Sequence, residues 1–334
     1  MKQRGAVIYT VLGAALAVLF LCNLAFGSVH IPVRDVFRIL AGSYEGRQTW
    51  QLIVTQSRLP QAVTALLAGA SLAASGLLLQ TLFKNPLAGP SILGVSDGAN
   101  LGVAIAMIYL GAGSYVATIT AAFAGAAAVL AVIIFFSRKV KSNVLLLIIG
   151  IMVGYLASSL ISILNYHASA DKVRQFVMWG MGDFAAVSLD KLPCFACVSI
   201  AGLALAIVLI KPLNALLLGE SYAANLGINV SRTRLLILGS TGLLTAVTTA
   251  FCGPVSFIGL AVPHIARLLL GSSNHKRLLP VTILSGACTA LLCNLFTVIP
   301  SDGETLPLNA VTALVGAPVI IYVIVNRKNI HYFN

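Results

Sequence analysis

The sequence predicts an all-α, polytopic membrane protein with ten transmembrane helices, on the basis of its composition and its apolar runs. Of 334 residues, 59% are hydrophobic and only 9% are charged, and the mean hydropathy is +0.98. A soluble domain carries roughly 25% charged residues, so this chain has too few charges to coat a surface in water. The composition therefore excludes a soluble globular enzyme and a disordered chain.

Ten apolar runs approach or exceed the roughly 20 residues that cross a hydrocarbon layer. They cover residues 6–26, 60–82, 93–110, 115–136, 143–164, 192–210, 234–252, 255–270, 279–299 and 308–325. The first resembles a secretory signal because Lys2 and Arg4 precede it, but no clear small-residue cleavage site follows, so we predict a span. The eighth is short and contains Pro263, His264 and Arg267, which indicates a helix shielded from lipid. We predict one transmembrane domain over residues 1–334.

Two polar segments between the spans are also predicted to be helical. Residues 33–41 place Val33, Phe37 and Leu40 on one face and charged residues on the other, which is typical of an interfacial helix. Residues 172–187 mix charged and aromatic residues, as a short helix at the headgroup level would.

The distribution of basic residues predicts which side of the membrane each loop faces. An even number of spans places both termini on one side. With both termini in the cytoplasm, fourteen of the 21 Lys and Arg residues face the cytoplasm and seven face outward. Loops rich in Lys and Arg stay inside, so the net charge of +12 indicates sidedness rather than an anionic partner such as nucleic acid.

A weak internal repeat suggests an inverted architecture. The segment GPSILG at 89–94 is echoed by GPVSFIG at 253–259. A Gly-Pro pair loosens a helix, so each site predicts a broken or re-entrant turn. In the predicted topology the first break lies at the cytoplasmic face and the second at the outer face, as in the inverted repeats of transporters. Chance recurrence in a Gly-rich membrane protein is the alternative.

The longest cytoplasmic connection, residues 211–233, predicts a docking surface. It reads as a helix over 213–218, a turn at Gly219, and a second helix over 222–226 that Gly227 ends. A solvated linker is the alternative, but a linker would not carry so many leucines. The chain also lacks the GxxxxGK[ST] motif that cradles nucleotide phosphates, so energy from ATP would have to enter through another protein.

Six segments together resemble the permease family of type II ATP-binding-cassette (ABC) importers, which take up cobalamin, ferric siderophores and haem. The segments are RLPQAVTALLAGASLAASG (58–76), LQTLFKNPLAGPSILGVSDGA (79–99), RQFVMWGMGDF (174–184), LNALLLGESYAANLG (213–227), CGPVSFIGLAVPHIARLL (252–269) and LPLNAVTALVGAP (306–318). They occur in the family's order and cover nearly the whole chain after the first span.

This resemblance implies a ten-helix subunit in the bacterial inner membrane that works as a homodimer with one pore on the two-fold axis. Two separate ATPase subunits would bind on the cytoplasmic side and a periplasmic binding protein on the outside. The chain itself would be no enzyme and would hold no catalytic residue, cofactor or metal.

Three sets of residues match positions of known role in that family. The coupling helices, which sit in grooves of the ATPase, are matched by Leu218, Gly219, Glu220, Ala223, Leu226 and Gly227. The cytoplasmic gates are matched by Asn85, Leu87, Ser142 and Asn143. The pore lining on the fifth span is matched by Gly154, Ala157, Ser158 and Ser162. For this last set, ordinary helix packing by small residues is an equal alternative.

The resemblance also implies how the binding protein docks. Arg58 matches an outward-facing arginine that pairs with a carboxylate of that protein, and such a pair can form and release in each cycle. A second arginine commonly follows the ninth span, but this chain has Asp302 and Glu304 there and no basic residue. Candidates for a substitute are Arg34, Arg38 and Arg47.

The predicted function is ATP-driven import of a large metal chelate, either cobalamin or an iron chelate such as a ferric siderophore or haem. The alternative is a secondary carrier or channel without an ATPase partner. A proton-coupled carrier needs titratable groups in the membrane, and only Asp97 and His264 are candidates. His167, near the predicted outer mouth, could contact haem iron, although a loop histidine is more often simply solvated.

Overall fold

The computed structural model describes residues 2–27, 29–112, 114–140, 142–298 and 305–325. Within these ranges every regular element is helical and no strand occurs, as the sequence predicts. Asp302 and Glu304 stand where a second docking arginine is common in the family that the sequence resembles. Both lie outside the described residues.

Fifteen α-helices, α1 to α15, form the described fold. Their bounds are Lys2–Ala25, Val33–Leu40, Gln48–Leu52, Leu59–Phe83, Val95–Ala104, Tyr115–Lys139, Asn143–His167, Ala170–Gly180, Leu192–Val208, Ile210–Leu217, Glu220–Asn225, Val230–Cys252, Ile258–Leu270, His275–Val298 and Leu308–Val325. A π-helical turn, Ile53–Arg58, joins α3 to α4, and another, Ile105–Tyr109, extends α5.

Ten apolar helical elements correspond to the ten predicted runs. In the described ranges, six are long and apolar enough to cross a membrane alone: α1, α4 with its N-terminal extension, α6, α7, α12 and α14. The α9–α10 pair is a seventh if its 49° bend is counted within one span. The other three, α5, α13 and α15, are shorter apolar helices. The count of ten complete spans therefore stays a prediction.

Helix α4 lies at the centre of the core, with α9, α12, α13 and α14 packed around it. Its residues are buried along almost its whole length, and most of them are Ala, Gly, Ser or Leu. Small residues let membrane helices approach closely. The closest approaches are glycine to glycine: a Cβ added at Gly69 would lie 2.3 Å from the Gly286 carbonyl oxygen, and one at Gly76 would lie 1.7 Å from that of Gly259.

Both predicted polar helices are present. Helix α2 follows the predicted segment, but it buries Val36 and Ile39, whereas the predicted apolar face of Val33, Phe37 and Leu40 is exposed. That exposed face is the one an interfacial helix would turn toward lipid. Helix α8 covers only the first part of the second segment and ends at Gly180.

The first Gly-Pro break contacts the start of α13, the helix that follows the second break. A Cβ on Gly259 would lie 2.7 Å from Cδ of Pro90. Gly259 comes five residues after Pro254, so this contact does not place the second break, and the position of the two breaks on opposite membrane faces stays a prediction. A Cβ on Gly94, after the first break, would lie 2.9 Å from the carbonyl oxygen of Gly150, which is about 10 Å along α7 at 1.5 Å per residue. The chain after α4 therefore re-enters the bundle before α5 begins, and the inverted repeat itself stays a prediction.

Hydrogen bonds show which helix ends share one end of the bundle. Asn143, at the start of α7, reaches the Leu82 carbonyl at the end of α4. Tyr9 in α1 donates to the Arg277 carbonyl at the start of α14. These elements and α10–α11 form the predicted cytoplasmic end. At the opposite end the last turns of α1 and α14 are joined, where Nδ2 of Asn294 lies 2.7 Å from Oδ1 of Asn23.

Candidate functional site

The segment predicted to couple the chain to an ATPase forms a helical hairpin, which we call the coupling hairpin (residues 210–227). Helix α10 bends by 49° from α9, and α11 follows after Gly219. Gly219 has φ 121° and ψ 153°, a conformation that only glycine adopts without strain, and Gly227 follows α11 with φ 80°. The two predicted helices and both glycine turns are therefore confirmed, with α10 and α11 each beginning slightly earlier than predicted.

The hairpin has a buried and an exposed apolar side. Leu213, Leu216 and Ala223 are buried and anchor it to the bundle. Three large side chains at four-residue spacing point outward, and we call them the apolar triad: Leu218 is 62% exposed, Tyr222 51% and Leu226 58%. Of the predicted coupling residues, Leu218 and Leu226 thus lie on the accessible surface, whereas Ala223 faces the protein.

Glu220 is held within the chain. One carboxylate oxygen, Oε1, accepts a hydrogen bond from Nδ2 of Asn143 at 2.8 Å and pairs with Nη2 of Arg234 at 3.2 Å. Arg234 is buried and also donates from Nη1 to the Val140 carbonyl at 3.1 Å. The structure therefore joins a predicted coupling residue, Glu220, to a predicted gate residue, Asn143.

The other predicted gate residues shape the loop after α4 and the start of α7. Lys84 ends α4 with φ 47°, and Oδ1 of Asn85 accepts from the Leu87 amide at 2.9 Å. Leu87 is exposed. Ser142 caps α7, since its Oγ accepts from the amide of Leu145 at 3.4 Å. Their gating role is not decided by these contacts and stays a prediction.

The four residues predicted to line the pore differ in burial. Gly154 and Ala157 are buried, and a Cβ on Gly154 would lie 2.6 Å from Oδ2 of Asp97 in α5. Gly154 and Ala157 thus take part in packing within this chain, whereas Ser158 and Ser162 are exposed. Pore lining by these four residues stays a prediction.

Arg58 does not have the exposed, outward-facing side chain that the sequence predicts. It is only 6% exposed, and its guanidinium donates to the carbonyls of Leu24 at 2.9 Å, Ala25 at 2.7 Å and Val29. The carbonyls at a helix C-terminus lack partners within the helix and favour a cation. Arg58 thus ties the end of α1 to the start of α4, a contact that sequence spacing could not reveal.

Comparison with known proteins is consistent with this arrangement. Residues 15–326 match the FecCD transport family. The chain belongs to that family. It is 37% identical over 281 residues to the vitamin B12 import system permease protein BtuC of Citrobacter koseri, covering 83% of this chain and 84% of the relative. It is 38% identical over 282 residues to BtuC of Salmonella typhimurium, with coverage of 82% and 84%.

A solved structure also resembles this FecCD chain along almost its full length. It is an inward-facing conformation of a transporter assigned to the metal-chelate type of ABC transporter, and it is 32% identical with a TM-score of 0.84, covering 97% of this chain and 99% of that one. The protein is therefore the permease of an ABC importer, a multi-pass membrane protein that is not itself an enzyme.

Sequence reasoning missed a second buried polar network in this FecCD permease. Nη1 of Arg267 donates to Oε1 of Gln80 at 2.6 Å, and Nε2 of His264 lies 2.7 Å from the Pro86 carbonyl. A carbonyl can only accept, so Nε2 carries the proton there. Nε2 of His275 lies 2.8 Å from Oγ1 of Thr81. The sequence shows that the apolar runs contain these polar residues, but it could not show which of them contact each other.

Replacing Arg58 with methionine should destabilise the permease by about 2 kcal/mol or more, because hydrogen bonds from a charged donor contribute about 1.5–3 kcal/mol each. The melting temperature of the purified protein in detergent measures this. Arg34→Met is the matched control, since Arg34 is exposed. Equal melting temperatures for the two variants would show that the Arg58 contacts contribute little to stability.

Proposed function

We propose that this FecCD permease carries a large metal chelate into the cytoplasm, driven by two separate ATPase subunits and supplied by a binding protein outside. The observation that carries the proposal is the apolar triad on the coupling hairpin. A surface of large exposed apolar residues at the polar end of a membrane protein favours a protein partner. It lies on the hairpin whose Glu220 contacts Asn143 at the start of α7, where movement of a partner would reach the transport path.

Cobalamin is the first substrate to test, because the BtuC relatives are vitamin B12 import permeases. A ferric siderophore and haem are the other candidates, since the solved relative is of the metal-chelate type. The test reconstitutes the permease with its ATPase subunits and binding protein in liposomes and measures uptake of each labelled chelate. We expect one chelate to accumulate only with ATP and all components present.

The same assay separates an ABC importer from a secondary carrier. Uptake that persists without ATP or without the ATPase subunits would overturn the proposal. The contacts of the two titratable candidates favour the importer: His264 is bonded to the Pro86 carbonyl, and the Asp97 carboxylate packs against Gly154. Both groups have packing or hydrogen-bonding roles that require no proton transfer.

A homodimer with its pore on the two-fold axis is part of this proposal. Beyond its first turn, helix α7 exposes large apolar side chains along its length, including Ile148, Tyr155 and Tyr166. Within a bilayer, lipid and a second copy can both cover such a face. Ser158 and Ser162 also lie on exposed positions of α7, where they would line a path between two copies. Mass measurement of the solubilised complex tests the proposed stoichiometry.

Docking of the binding protein at Arg58 is proposed to occur through a cavity. A cavity of 460 Å³ at the predicted outer end is lined by Arg58, Gln61 and Asp183, among others. A carboxylate of the binding protein could enter it and reach the guanidinium. We expect Arg58→Met to weaken that complex at low salt and to remove part of its salt dependence, with Arg138→Met, at an exposed position of the opposite end, as control. Unchanged affinity at low salt, in a variant that remains folded, would argue against this docking site.

A further inference from the structure

We propose that Glu220, Asn143 and Arg234 form a latch through which movement of α11 reaches the gate at the start of α7. The latch rests on the proposed function, because it transmits a movement that an ATPase would impose on the coupling hairpin. It also gives Glu220 a role inside the chain, where it positions the gate, and makes Asn143 and Arg234 positioning residues.

The first step of the argument is the chemistry of the contact. Asn143 directs Nδ2 to two acceptors, Oε1 of Glu220 at 2.8 Å and the Leu82 carbonyl at 3.0 Å. Both neighbours can only accept, so the amide nitrogen must face them. Hydrogen bonds to a carboxylate are stronger than those between neutral groups. Asn143 therefore holds the first residue of α11 and the end of α4 at the same time.

The second step is that the carboxylate of Glu220 is connected both to the end of α6 and to the start of α7. Arg234 pairs with Glu220 at 3.2 Å and donates to the Val140 carbonyl, directly after α6. Asn143, the first residue of α7, donates to the same carboxylate oxygen. A displacement of Glu220 must therefore move these two helix ends or break these contacts.

The third step is that the latch combines a fixed and an accessible component. The Arg234 side chain is 8% exposed and the Glu220 side chain 41%. A partner that displaces the accessible carboxylate of Glu220 would therefore pull on an arginine that is held inside the bundle.

The predicted gate has a second segment, the loop with Asn85 and Leu87, and a different helix holds it. His264 of α13 contacts this loop at the Pro86 carbonyl, at 2.7 Å. Helix α11 contacts the other predicted gate segment, at Asn143. The geometry thus assigns the two gate segments to different elements, and disrupting the latch should affect the α7 gate.

The experiment measures how fast a cysteine beside the latch reacts with a membrane-impermeant maleimide, with and without ATP and vanadate. Val144 is exposed and adjacent to Asn143, so Val144→Cys reports on the gate. The partly accessible native cysteines are first replaced by serine: Cys22, Cys194 and Cys197. The protein is the full permease with its ATPase subunits in lipid nanodiscs. ATPase activity and size-exclusion profiles are recorded for each variant.

We expect nucleotide to change the labelling rate in the parent protein and to have no effect in Asn143→Ala, Arg234→Ala or Glu220→Ala, while ATP hydrolysis continues. Glu220→Gln should retain the response, because its amide oxygen still accepts from both donors. The matched control is Arg232→Ala, which removes an exposed arginine two residues from Arg234 and should respond like the parent.

Three outcomes overturn the latch. One is a normal nucleotide response in the folded Asn143→Ala and Arg234→Ala variants. Another is that Glu220→Gln loses the response as completely as Glu220→Ala. The hydrogen bonds accepted at position 220 would then not be what transmits the nucleotide response. The last is a parent complex with no nucleotide response at all, which overturns ATP-driven gating in the proposed function and the latch with it.

Discussion

Replacing Gly76 with valine should prevent the permease from accumulating as a folded protein. A Cβ at this position would lie 1.7 Å from the carbonyl oxygen of Gly259 and 2.6 Å from its carbonyl carbon. Both atoms belong to the backbone of α13, so no side-chain rotation can relieve the clash. The two helices would have to separate at the centre of the core, which should cost at least ~3 kcal/mol, the upper range for overpacking. Yield and the monodisperse fraction in size-exclusion chromatography measure the effect.

The matched control is Gly239→Val in α12, where an added Cβ has no heavy atom within 4 Å. This variant should accumulate normally, because valine costs a helix no more than glycine does. Gly69→Val should behave like Gly76→Val, since its Cβ would lie 2.3 Å from the Gly286 carbonyl oxygen. Normal yield and an unchanged melting temperature for Gly76→Val would contradict the close packing of α4 and α13.

The sequence predicts the helical elements well because membrane spans are encoded locally. A long apolar run needs no knowledge of its neighbours, and the bounds of α7 and α12 differ from the predicted runs by a few residues. The coupling hairpin is also local: leucine spacing and the glycines at 219 and 227 predict two short helices with their turns. Which of its leucines are buried could not be predicted, because that depends on helices distant in the chain.

Long-range contacts are the part that the sequence could not predict. The Gly-Pro pair at 89–90 predicts a re-entrant turn, but only the structure shows that this turn brings Pro90 to Gly259. Arg58 has the sequence context of an exposed docking residue, yet the end of α1 and the loop after it offer three carbonyls to its guanidinium. Gly154 fits a pore stripe as well as a packing stripe, and only the structure shows its contact with Asp97.

The bond between Glu220 and Asn143 is a failure of a different kind. The resemblance gave these residues separate roles, in coupling and in gating, and 77 positions separate them along the chain. A resemblance assigns roles position by position and carries no information about which positions touch. The structure adds that contact, and Arg234, which no motif singled out, becomes part of the same cluster.

The combined substitution Leu218→Asp and Leu226→Asp should abolish assembly of the permease with its ATPase subunits while leaving the permease folded. Both side chains are more than half exposed, so their loss costs the isolated protein little. Burying a leucine at an interface contributes about 1.5–3 kcal/mol, and an aspartate in an apolar groove adds a desolvation cost. A combined loss of at least ~3 kcal/mol weakens binding by about a hundredfold or more.

Co-purification and a binding titration of the ATPase subunit against the permease in nanodiscs measure this loss. Lys276→Asp is the control, because it changes charge at another exposed position of the same end, at the start of α14. It should leave assembly within a few-fold of the wild type. The melting temperature of each permease separates lost docking from lost folding. If the double variant binds the ATPase as tightly as the wild type, the apolar triad is not the docking surface, and the exposed leucines of the coupling hairpin require another partner.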